Sequence, residues 1–103
     1  MTALPFLDTN VFLRHLRQDH PDHSPRATAY LLRVERGELQ VRTADTVLFE
    51  TIYTLASFYR LPRADIRQAL LPLIGLRGIV RPGKRRWRRA LDLFASTNLS
   101  IAD

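Results

Sequence analysis

Apolar and polar positions follow two rhythms along this chain, and they divide it into short runs and longer stripes. Leu4-Pro5-Phe6-Leu7 is a short apolar run, and Asp8-Thr9-Asn10 after it are all helix-capping residue types. Val11, Phe12, Leu13 and Leu16 then recur at helical spacing. The pattern predicts a short buried strand that ends on a carboxylate and turns at once into a helix. Pro5 is tolerated because it stands among the strand's first residues. Residues 17–23 are a polar loop. Ser24-Pro25 predicts a helix start, with Ser as N-cap and Pro at the first helical position. Ala27, Leu31, Leu32 and Val34 form its buried stripe, and Gly37 stops it.

The rhythm then switches. Leu39-Gln40-Val41-Arg42-Thr43 alternates and is β-prone, which predicts a second strand. Ala44-Asp45-Thr46 reads as turn and cap. A helix is expected from Val47 to about Tyr59, with Leu48, Ile52, Leu55 and Tyr59 inward. Residues 61–65 break it. Ile66, Ala69, Leu70 and Leu73 mark a fourth helix that tolerates or kinks at Pro72. After a turn over 75–78, Ile79-Val80 predicts a third short strand, closed by Pro82-Gly83. A last helix is expected from Arg86 to about Ser96, with Trp87, Leu91 and Phe94 inward. Strands alternating with helices predict an α/β fold, a short parallel sheet with helices on both faces in three layers. At the end, Ser100-Ile101-Ala102-Asp103 has the spacing of a capping box and announces a further helix. The expectation is a single domain over residues 1–103, truncated at its C-terminus.

Composition narrows the classes. The chain has 103 residues, is 46% hydrophobic and 25% charged, and is expected to be globular. No apolar run approaches the ~20 residues of a membrane span. Met1 to Leu7 has neither a basic n-region nor an h-region, so no signal peptide is expected. Absence of cysteine removes disulfides and thiolate zinc sites, and fits a reducing cytoplasm. The net charge is +6. From Arg67 to Arg89 there are eight basic residues and no acid, a block that suggests a polyanion or an acidic protein partner.

Three acids stand at predicted strand-to-helix junctions: Asp8, Glu50 on the first turn of the third helix, and Asp103 on the helix announced at the end. In a parallel sheet such junctions share one edge, where ligands bind. Glu50 shares a helix face with Tyr53, Thr54 and Ser57, away from the apolar stripe, and so can face a cleft. Three carboxylates about 5 Å apart at an effective dielectric of about 20 cost on the order of 3 kcal/mol per pair. Helix N-termini offset part of this, and protonation or a hard divalent cation would relieve the rest. The plainer alternative makes Asp8 and Asp103 caps and Glu50 a solvated acid.

Together these segments resemble a PIN domain, and are most similar to the VapC ribonuclease toxins of bacterial toxin–antitoxin pairs. The residues that carry the likeness are Phe6-Leu7-Asp8-Thr9-Asn10-Val11, Val47-Leu48-Phe49-Glu50-Thr51 and Leu99-Ser100-Ile101-Ala102-Asp103. The resemblance implies a PIN-like α/β/α sandwich whose C-terminal strand–helix part is missing here. It implies that Asp8, Glu50 and Asp103 bind Mg²⁺ or Mn²⁺ and are the catalytic residues, that a metal-activated water hydrolyses RNA, and that Thr9 and Asn10 support the site. It also implies a cognate antitoxin partner, a homodimer and a cytoplasmic location. The alternative is a truncated, non-catalytic PIN-like fragment that binds RNA or an antitoxin. A plain basic RNA-binding module is a third reading.

Lys84, Arg85, Arg86, Arg88 and Arg89 crowd a helix N-terminus, where cations oppose the macrodipole. Backbone contact with RNA explains them, and a solvated face is the alternative. Trp87 reads as an inward core aromatic, with base stacking as the other possibility. His15, His20 and His23 fit no familiar zinc spacing and read as a loop cluster.

Overall fold

The computed structural model describes residues 4–80 and 83–97. Five helices lie where the apolar stripes place them: α1 Thr9–Arg17, α2 His23–Glu35, α3 Asp45–Ser57, α4 Arg63–Ile74 and α5 Lys84–Ser96. The capping box at Ser100–Asp103 lies outside the described residues.

The boundaries have local causes. Asp8 is the N-cap of α1, with extended backbone, and its Oδ1 accepts from the Val11 amide at 3.3 Å. Ser24 is not the cap of α2. It lies inside the helix, buried, and its Oγ accepts from the His20 amide at 3.2 Å, which ties down the preceding loop. Leu32 is exposed rather than part of the buried stripe. Helix α3 starts at Asp45, two residues before the expected Val47, which puts Glu50 in the second turn rather than the first. Helix α5 starts at Lys84, after Gly83, whose φ of 104° is a left-handed conformation that favours glycine.

The expected α/β sandwich is not what forms. Among the described residues there is no strand and no sheet, and the secondary structure is helical. What remains of the predicted strands is two isolated parallel bridges, Phe6 with Arg42 and Val41 with Ile79. Four backbone hydrogen bonds make them: Leu7 N to Arg42 O at 2.8 Å, Arg42 N to Pro5 O at 2.9 Å, Val41 N to Gly78 O at 2.8 Å and Val80 N to Val41 O at 2.9 Å. Each segment runs out of partners at once. Pro5 has no amide to donate, and α1 takes the chain at Thr9. The Leu39 amide, which would lengthen the middle segment, donates instead to Arg33 O at the end of α2. Period-2 alternation over five residues therefore yields a bridge, not a ladder.

The core gathers on these bridges. Leu7, Val34, Val41, Ile52, Leu55, Ile66, Leu70 and Leu91 are all but fully buried. Helix α1 packs on α2 and α3, and α4 packs on α5. Arg63 fastens the latter pair: it donates to Phe94 O at 2.8 Å and Thr97 O at 3.0 Å, and its guanidinium lies 4.4 Å from the Phe94 ring centroid. Arg67 and Asp92 add an ion pair at 2.7 Å.

Gly78 fits tightly between the end of α2 and the middle segment. Its amide donates to Val34 O at 2.9 Å, and a Cβ there would lie 2.2 Å from Leu39 O and 2.7 Å from Val34 O. Both obstacles are backbone, so no side chain can yield. Gly78→Ala is expected to destabilise the protein by about 2–3 kcal/mol, the scale of overpacking. Urea unfolding of the variant against the parent checks it.

Candidate active site

The site is built where the first turn of α1 meets the first two turns of α3. Phe6 leaves the first bridge, the chain passes Asp8, and α1 begins. Because α1 packs on α3, Thr9 comes under Glu50. Thr9 is buried, and its Oγ1 donates to Glu50 Oε2 at 3.2 Å. A cleft of about 340 Å³ lies over this contact, lined by Phe6, Asp8, Thr9, Asn10, Thr46, Val47 and Glu50. Asp8, Asn10 and Glu50 are exposed to it.

Asp8 and Glu50 thus share one cleft although they are 42 positions apart in sequence. Asp8 uses one oxygen as a cap at the N-terminus of α1. Asp103 lies outside the described residues, and among those described no group of three metal-ligating side chains forms. Two exposed carboxylates with a threonine and an asparagine beside them still make a hard-oxygen donor set. That set fits a divalent cation completed by water and a substrate phosphate.

Three residues of the cleft, Phe6, Thr46 and Val47, were not expected among the site residues. Thr46 belongs to it because α3 starts early, which places Thr46 one turn before Glu50 on the same face. Phe6, expected in a buried strand, is 45% exposed at the rim, with the Arg42 guanidinium 5.1 Å from its ring centroid.

The basic segment divides. Lys84 is half-buried, and its Nζ donates to Leu76 O at 2.7 Å; burial lowers its pKa. Arg86 pairs with Asp45 at 3.0 Å. Arg85, Arg88 and Arg89 are exposed, and Arg85, Arg88 and Lys84 line a hollow of about 340 Å³ with Ile74 and Gly75. Trp87 is buried, and its Nε1 donates to Asp45. Of the histidines, His15 Nδ1 is hydrogen-bonded with Thr28 Oγ1 at 2.8 Å, and His20 stacks on His23 with centroids 4.0 Å apart.

The cleft thus sets two carboxylates beside the parallel backbone bridges. The PIN domain model matches residues 6–103, so the chain belongs to the PIN domain family. PIN domains are generally metal-dependent nucleases, and the family suggests an RNA substrate. Comparison with curated proteins and with solved structures finds no match. Among the described residues no helix is long and apolar enough to cross a membrane.

Proposed function

We propose that this protein is a Mg²⁺- or Mn²⁺-dependent endoribonuclease of the VapC toxin type. The observation that carries the reading is the meeting of Asp8 and Glu50 in one cleft of a PIN-family chain. Asp8 and Glu50, with Asp103, would hold the cation. When bound, it supplies positive charge against the phosphodiester oxygens and acidifies water. Thr9 holds Glu50 through its hydroxyl, and Asn10 offers an exposed amide to a phosphate oxygen. The reaction adds water across one P–O ester bond, with no covalent link to the protein. Arg85, Arg88 and Arg89, with Lys84 and Arg86 at the same helix start, would contact the RNA backbone. The same reading brings a cognate antitoxin, a homodimer and a cytoplasmic location.

The alternative reading is a non-catalytic PIN-like chain that binds RNA or an antitoxin without cutting.

Incubating single-stranded RNA with the parent, Asp8→Asn and Glu50→Gln in Mg²⁺, Mn²⁺ or EDTA decides. Cleavage is expected with either metal, to stop in EDTA, and to fall roughly 100-fold or more in each variant, the scale of losing one preorganised charged group. RNA binding without cleavage in any condition supports the second reading. Cleavage that survives EDTA overturns the first.

A further inference from the structure

Between helices α1 and α2 lies an open hollow of about 310 Å³ that the carboxylate site does not use. Its lining is Val11, Arg14, His23, Arg26, Ala27 and Tyr30. Two arginines and a histidine therefore converge over an apolar floor. Among the described residues neither the Arg14 nor the Arg26 guanidinium has an ion-pair or hydrogen-bond partner, whereas Arg36, Arg67 and Arg86 each hold an acid. The His23 Nδ1 atom is buried and has no hydrogen-bond partner among the described residues. The pocket's field is positive: His20 stacked on His23, then burial, then Arg14 and Arg26, lower the His23 pKa, and only Asp22 opposes them. Gathering unpaired like charges is unfavourable unless an anion joins them.

The pocket adjoins the carboxylate cleft along α1. Asn10 lines the cleft, and Val11 and Arg14 line the pocket. Asn10 and Arg14 are four residues apart and lie on one helix face, about 6 Å apart along the axis. We propose that the Arg14–His23–Arg26 pocket holds a backbone phosphate of the RNA strand whose neighbouring phosphodiester lies over Asp8 and Glu50. This rests on the RNA-cleaving reading. The arginine fork matches phosphate oxygens, and the floor of Val11, Ala27 and Tyr30 accepts the apolar side of the attached nucleoside. Continuity with the cleft favours a nucleic-acid strand over an acidic protein segment.

The test is binding of a short mixed-sequence single-stranded RNA, followed by fluorescence anisotropy in EDTA so that cleavage plays no part. One phosphate contact on a single strand contributes about 0.7 to the slope of log K against log salt. Arg14→Ala/Arg26→Ala is expected to lower the slope by about that amount, and Arg14→Lys/Arg26→Lys to restore most of it. Both side chains are exposed and, among the described residues, without a partner, so thermal melts of the variants should match the parent. In the parent, NMR should find the His23 ring titrating at higher pH with RNA bound, and the alanine pair should lose that shift. Parent binding with an unchanged slope in the alanine pair overturns the pocket and leaves the RNA-cleaving reading standing. No RNA binding by the parent in EDTA overturns the pocket, and the cleavage assay with Mg²⁺ or Mn²⁺ then decides the RNA-cleaving reading separately. Polyglutamate binding lost in the alanine pair, with the RNA slope intact, assigns the pocket to a protein partner and also overturns it.

Discussion

Adding Mn²⁺ or Mg²⁺ to the parent protein should raise its melting temperature, and Asp8→Asn should abolish the rise. A ligand that binds only the folded state stabilises it by mass action, about 2.7 kcal/mol at a hundredfold excess over its dissociation constant. For a chain of this size that is roughly 10–20 °C. Asparagine caps a helix about as well as aspartate, and its side-chain oxygen can still accept from the Val11 amide. The substitution therefore removes one charge and little else, and the metal-free variant should melt level with the parent or above it. Glu50→Gln is the parallel case, since glutamine still offers Thr9 an acceptor. A capping Asp8 with no metal role predicts no metal effect in any of the three proteins. A parent melt indifferent to saturating Mn²⁺ would remove the metal site and leave the binding-only reading.

Sequence periodicity located the helices well and the fold class badly, for one physical reason. A helix satisfies its own backbone, so the stripe Leu48, Ile52, Leu55 is enough to place α3. A strand needs a neighbour, and whether Leu39 pairs with another segment or with Arg33 O is settled only when α2 ends beside it. Alternation in Leu39–Thr43 was legible; its diversion into the end of α2 was not. The cleft follows the same division. Asp8 and Glu50 could be read as candidates from their places near helix starts, but the packing of α1 on α3, not the edge of a sheet, brings them together. Thr46 could not, because it depended on where α3 begins. The Arg14–Arg26 pocket had no local signal either, since only the packing of α1 on α2 brings the two together.

The basic segment also conceals a structural anchor, and breaking it should be costly. Trp87 is 3% exposed, and its indole N–H donates to Asp45 in the first turn of α3, 42 positions earlier. Arg86 reaches the same carboxylate at 3.0 Å, but its side chain is 67% exposed. The two contacts are unequal. A solvated ion pair contributes under about 1 kcal/mol, while a buried donor stripped of a charged acceptor costs about 2–3 kcal/mol. Asp45→Ala should therefore destabilise the protein by about 2–3 kcal/mol, roughly 10–20 °C in melting temperature. Arg86→Ala should cost less than about 1 kcal/mol and lose even that at high salt, because screening removes exposed pairs first. Asp45→Asn separates the terms: it keeps an oxygen for the indole while discarding the charge, and should fall between the other two. Thermal melts of the three variants at low and high salt give the ordering. If Arg86→Ala proves as damaging as Asp45→Ala, the surface pair rather than the buried indole holds α5 to α3.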